Sequence, residues 1–165
     1  MSTEFKETQK FSQWWLWVLL IGISLVPIVG LYMQLYLNQA FGDKPMSTMA
    51  LGIFCLFTFS FIVLFWCMRL KTHINPHGVH IHFFPFIKKQ VHWDQIKTIE
   101  VVNYGFVGGW GIRLFTSYGT VYNIQGNMGL AIELTSGKKF LIGTQKPKEL
   151  TLFTEKLNTQ ILNKT

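Results

Sequence analysis

The side chains best suited to chemistry are five histidines confined to one stretch: His73, His77, His80, His82 and His92. His80 and His82 are two apart, so on a strand they share a face and two imidazoles could meet one ion. A zinc site takes three or four N, S or O ligands. Here the nearest cysteine, Cys67, closes a long apolar run, and Asp94 is the only close carboxylate. Ligand number and type weigh against a metal. The cluster reads as the polar face of a strand, with no metal and no cofactor assigned.

A second candidate is Gly105-Phe106-Val107-Gly108-Gly109-Trp110-Gly111. Its spacing is neither G-x-G-x-x-G nor that of a loop closing on Gly-Lys-Ser/Thr, and no helical pattern follows, so it fails as a phosphate loop. It reads as a strand connection whose glycines permit positive φ. Trp110 must still place a large ring; packing into the core is preferred over contact with a partner or a membrane.

Basic residues are the third. From residue 72 onward there are ten Lys or Arg against five Asp or Glu. Lys88-Lys89 follow a Phe-rich turn, Lys138-Lys139 sit in a hairpin, and Lys146 and Lys148 flank a helix start. Solubility and general attraction to anionic lipid, about 1 kcal/mol per basic residue near the surface, account for most of this. No nucleophile–base spacing supports an enzyme. Neither a basic helix nor an aromatic-basic strand motif supports nucleic-acid binding.

These residues need a scaffold, and composition limits which one. The chain has 165 residues, 49% hydrophobic and 16% aromatic, with only 14% charged. Soluble domains carry about 25% charged residues. The deficit is local: between Lys10 and Arg69 the only charged side chains are Asp43 and Lys44. Two cysteines exclude a disulfide scaffold. Residues of about 14–37 and 46–68 are each long enough for a helix to cross a hydrocarbon core of about 30 Å. The eight-residue link Asn38 to Pro45 forces an antiparallel hairpin. A cleaved signal peptide is excluded by the length of the first apolar run and the poor Asn38-Gln39-Ala40 cleavage site.

Trp14, Trp15, Trp17 and Trp66 gather at one expected interface, with Tyr32 and Tyr36 near the other. Lys6, Lys10, Arg69 and Lys71 flank the hairpin, whereas its loop has only Lys44, so positive-inside reasoning puts both termini in the cytoplasm. No charged side chain marks a transport path within the helices, and the hairpin reads as an anchor.

Residues 1–71 are thus expected to be an N-terminal tail and two transmembrane helices, and residues 72–165 a cytoplasmic domain. In the latter, about seven short β-branched and aromatic segments alternate with turn signals such as Ser117-Tyr118-Gly119 and Ser136-Gly137-Lys138. Then Pro147 opens a segment in which Leu150, Phe153, Leu157 and Ile161 recur at helical spacing. The expected fold class is α+β: a helical hairpin, then an antiparallel barrel or sandwich capped by a C-terminal helix that covers open edges.

Residues 76–150 also resemble bacterial PH-like membrane proteins, in which a two-helix anchor precedes a domain of the pleckstrin-homology superfold. The resemblance is carried by Pro76-His77-Gly78-Val79, Phe83-Phe84-Pro85-Phe86, Trp93-Asp94-Gln95-Ile96 and Gly108-Gly109-Trp110-Gly111-Ile112-Arg113. It continues through Tyr122-Asn123-Ile124-Gln125-Gly126-Asn127 and Gly137 to Pro147. It implies the fold and the anchor but no defined shared activity. In lipid-binding PH domains the first hairpin supplies basic residues, and Lys88 and Lys89 occupy a comparable place. Candidate lipid or partner contacts are Lys88, Lys89, Trp110, Arg113, Lys138 and Lys139. The expected function is a non-enzymatic, membrane-anchored scaffolding module that assembles with a protein partner or with itself at the cytoplasmic face of a bacterial inner membrane. The alternative is a sensor of anionic lipid headgroups working through the basic hairpins.

Overall fold

The structure, a computed structural model, describes residues 4–162, with side chains through Leu157. It divides into two compact units. One is the helical segment Ser12–Cys67; the other joins the N-terminal strand to everything from Met68 onward.

In the helical unit, α1 (Trp14–Tyr36) and α2 (Thr48–Cys67) pack as a hairpin. Both are long and apolar enough to cross a membrane. They are apolar all round, and α1 buries only Ser24, Pro27 and Gly30. Apolar exposure on every side suits a helix whose surroundings are themselves apolar. Gly30 permits the close approach of Leu51 and Phe41, whose side-chain carbons lie 3.3 and 3.0 Å from where its Cβ would be. Ser24, Thr58 and Ser60 return their hydroxyl protons to carbonyls three or four residues back, so they add no polar surface. The link is tied by Gln34, which donates to the Met46 carbonyl at 2.8 Å and accepts from Thr48 Oγ1 at 3.0 Å.

The second unit has nine strands where about seven were expected. β1 (Phe5–Lys10), β2 (Arg69–Asn75), β3 (Gly78–Phe84) and β4 (Ile87–His92) form an antiparallel sheet in that order. β5 (Ile96–Asn103), β6 (Gly111–Thr116), β7 (Gly119–Asn123), β8 (Met128–Leu134) and β9 (Lys139–Thr144) form a second sheet, ordered β5-β8-β9-β7-β6. The two extra strands are the supposed tail and the supposed linker, so the strand unit begins again at Met68 rather than at residue 72. The sheets do not close into a barrel. A single 3-10 turn, Trp93–Gln95, lies between β4 and β5, and the Trp93 indole donates to the Asn75 carbonyl at 3.0 Å. β5 then pairs with β8 instead of β4.

The second sheet also departs from the all-antiparallel expectation, because β7 and β9 are parallel from Thr120↔Phe140 to Tyr122↔Ile142. Residues 124–127 carry the chain past β9 to reach β8, and four residues easily span two strand spacings of about 4.8 Å. The central β9 is buried along Phe140–Thr144. It reads as a continuous apolar run, as a strand covered on both faces must. Tyr104, Val121 and Leu141 form one core cluster. Helix α3 (Pro147–Leu162) packs on β5 and β8 and buries Leu150.

β1 alternates buried Phe5, Glu7 and Gln9 with exposed Lys6, Thr8 and Lys10. Gln9 Nε2 donates to the Gly143 carbonyl on the last strand at 2.7 Å, and Glu7 accepts from Thr144 Oγ1 at its end and from the Gln145 N–H just beyond it. Most buried polar groups are paired in this way.

Candidate functional site

The register of the first sheet decides which side chains share a face. Directly opposed residues point the same way, and the inward set is Phe5, Glu7 and Gln9 with Leu70, Ile74 and Ile81. The outward set falls into rows that cross the strands. One row is Lys10, Arg69 and Phe84; the next is Thr8, Lys71, His82 and Lys88. A third is Lys6, His73, His80 and Gln90, and His92 lies in a fourth beside Gly78 and Asn75. One face of four strands therefore carries five Lys or Arg and four His. None of its paired outward positions is Asp or Glu.

The carboxylate that reaches this face is Glu4, just ahead of β1. Its Oε2 lies 2.6 Å from Lys6 Nζ and 3.1 Å from His73 Nε2. Hydrogen bonding to Lys6 first, then to His73, holds its carboxyl below the usual range. The His73 and His80 rings lie 5.7 Å apart, and His80 Nε2 is 3.3 Å from Asn75 Nδ2. His80 is pushed below the ordinary histidine range by burial, then by the charges of His73, His92, His77 and Lys88. Away from Glu4, like charges set directly opposite one another raise one another's cost. An anion laid on the face would relieve that cost. Among the described residues no group of three or more His, Cys, Asp or Glu is placed to hold a metal ion.

The six side chains singled out from the sequence do not form one site. Lys88 is exposed on the basic face, opposite His82. Lys89 turns the other way: its ammonium lies 3.7 Å from the centre of the Phe140 ring, and burial, then the charge of Lys138, lowers its pKa. Lys138 is exposed in the β8–β9 turn, whereas Lys139 lies 3.3 Å from Glu133. Glu133 also takes Lys97 at 3.0 Å, and these two hydrogen bonds, that of Lys97 the larger, hold its carboxyl below the usual range. Arg113, on β6, lays its guanidinium against Gly109, where any side chain would collide with it. Gly109 has φ +123°, a backbone conformation that favours glycine, whereas the guanidinium beside it could swing aside. Trp110 is 37% exposed, partly covered rather than fully tucked away.

Lys6, Lys10, Arg69 and Lys71 share this face by register, although in the sequence their place beside the apolar runs explains them as membrane flanks. For β2 a signal was present, since Leu70, Thr72 and Ile74 alternate with Arg69, Lys71 and His73; Phe5 to Lys10, with one apolar residue, carries none. No protein-family model matches the chain, and no curated protein is found to be similar to it.

Proposed function

We propose that this chain is a membrane-anchored, PH-like binding module without catalytic activity, whose four-stranded sheet recognises anionic lipid headgroups through its outer face. In this reading α1 and α2 cross the bilayer and both chain ends are cytoplasmic. The PH-like assignment is supported by the element order: two sheets, then a C-terminal helix packed on the second. One observation carries the headgroup reading, namely five cations and four imidazoles on one sheet face with no carboxylate among the paired positions. At about 1 kcal/mol for each basic residue near an anionic leaflet, such a face gains several kcal/mol. The gain decays over a Debye length of about 8 Å, so it depends on short links such as this chain has. Phe11, Ser12 and Gln13 separate β1 from α1, and Met68 alone separates α2 from β2.

Amine modification tests the reading in nanodiscs holding the full chain. In discs containing phosphatidylglycerol, Lys71 and Lys88 should react severalfold more slowly than in phosphatidylcholine discs, with Lys148 as reference. Raised salt should restore their reactivity. Equal rates in both lipids would sink the headgroup reading.

Assembly with another protein is the second reading, favoured by β6, an edge strand with Leu114 60% and Phe115 99% exposed. A stoichiometric protein recovered in mild detergent, and lost with Phe115→Ser, would support it.

A further inference from the structure

The row Lys10, Arg69, Phe84 lies at one end of the first sheet, where β1 finishes, β2 begins and the β3–β4 turn closes. That turn exposes Phe84 and Phe86, 44% and 54% accessible, on either side of Pro85. It is a built structure rather than a loose tip. The Phe86 N–H donates to the Phe83 carbonyl at 2.8 Å, and the Phe86 ring lies 6.3 Å from that of Phe83, which is fully buried. Phe84 meets the His82 ring edge-on at 5.9 Å. A rigid turn thus presents two phenyl rings to the outside.

Two exposed rings together at a sheet end gain by an apolar surrounding, and their neighbours point to which. Arg69 is directly opposite Phe84, with Lys10 opposite Arg69 and Lys88, the second residue of β4, in the adjacent row opposite His82. Phenyl rings bordered by cations match an acyl layer bordered by phosphates, the pattern by which interfacial segments lie in the headgroup region. Chain connectivity agrees. Arg69 is two residues from the last residue of α2, at most about 7 Å of backbone.

We infer that the Phe84–Pro85–Phe86 turn is a bilayer wedge, its two rings inserted at the headgroup–acyl boundary while Arg69 and Lys10 engage phosphates beside it. The wedge rests on the reading that α1 and α2 span the bilayer, and it assigns a lipid-inserting role to residues of the strand unit.

Depth measurement tests it in the full chain, reconstituted in phosphatidylcholine–phosphatidylglycerol nanodiscs with Cys55→Ser and Cys67→Ser. Nitroxides are placed singly by Phe84→Cys, Phe86→Cys or His92→Cys, the last lying three rows away on the same face. The expected ratio of oxygen to water-soluble nickel-chelate accessibility is severalfold higher at 84 and 86 than at 92. Ratios at both Phe sites equal to that at 92 would overturn the wedge. If lipid charge still slowed Lys71 and Lys88 modification in that case, the headgroup reading would stand while the wedge fell. Immersion at 84 and 86 in neutral discs as well supports the wedge, even if lipid charge leaves the lysines unaffected.

Discussion

Glu7 and Thr144, 137 residues apart, are joined in the interior by a 2.6 Å hydrogen bond from the threonine hydroxyl to the carboxylate. The other carboxylate oxygen accepts from the Gln145 N–H at 2.7 Å. The first strand is thereby fastened where β9 gives way to α3. Glu7→Ala leaves the buried hydroxyl without its acceptor, at a cost of about 1–3 kcal/mol, while water can reach the Gln145 amide. The strand unit should unfold several degrees earlier in neutral detergent, with Glu7→Gln in between because its amide keeps one acceptor. An unchanged melting temperature for Glu7→Ala would show that β1 is not held by this pair.

Gly143 lies beside the same contact, and its missing side chain is a packing requirement. A Cβ there would stand 2.8 Å from Asn123 Cβ and 3.2 Å from the Tyr104 hydroxyl. Both neighbours are buried and engaged: Asn123 Nδ2 donates to the tyrosine oxygen at 3.2 Å, and that hydroxyl donates to the Gly126 carbonyl at 2.9 Å. Gly143→Ala should therefore cost about 1–3 kcal/mol, the usual penalty of overpacking. Gly22→Ala in α1 is the contrast, since nothing lies within 4 Å of its Cβ position. Thermal unfolding of both variants should show loss for the first and none for the second.

His80 gives the basic face a pH dependence of defined sign. Burial, then the positive charges around it, depress its folded pKa below the unfolded value of about 6.5. Between the two values the unfolded chain holds a proton that the folded chain lacks, so stability rises with pH there. Stability is fully present above about pH 7 and falls as the pH drops through the unfolded pKa toward the folded one. His80→Gln cannot charge, so the difference in melting temperature between pH 7.5 and pH 5 should shrink. A slope identical to that of the unmodified chain would assign the dependence to other groups.

The helices and the later strands are legible in the sequence, for a physical reason. Charge-free runs and alternation with turn signals report local structure directly, and residues 14–36 and 48–67 fell within two residues of expectation. β1 was illegible because its inward positions are Glu7 and Gln9, so its alternation is polar on both sides and resembles a tail. Only the far end of β9 shows why they turn inward. The Arg69–Thr72 segment was hidden by its flanking position next to an apolar helix, where cations have a sufficient explanation already. The basic face itself is a product of register. No spacing in the chain places Lys71 beside His82 or Lys10 beside Arg69; pairing does. Lys88 and Lys89 were grouped as neighbours, yet alternation sends them to opposite faces of the sheet.

That divergence yields the sharpest comparison between the two sets of basic residues. Lys71→Glu with Lys88→Glu reverses charge on the outer face, whereas Lys139→Glu alters a lysine already 3.3 Å from Glu133. If the face gathers anionic lipid, the first pair should reduce the anionic fraction of lipid that co-purifies in polymer-bounded native discs. Each lysine removed forfeits about 1 kcal/mol of attraction, and each glutamate added opposes binding further. Lys139→Glu should leave that fraction unchanged, while placing two carboxylates together and lowering the melting temperature. Headgroup composition by mass spectrometry reads the first effect and thermal unfolding the second. Equal depletion of anionic lipid by both substitutions would mean that net charge acts without geometry, and the sheet face would lose its claim to be the site.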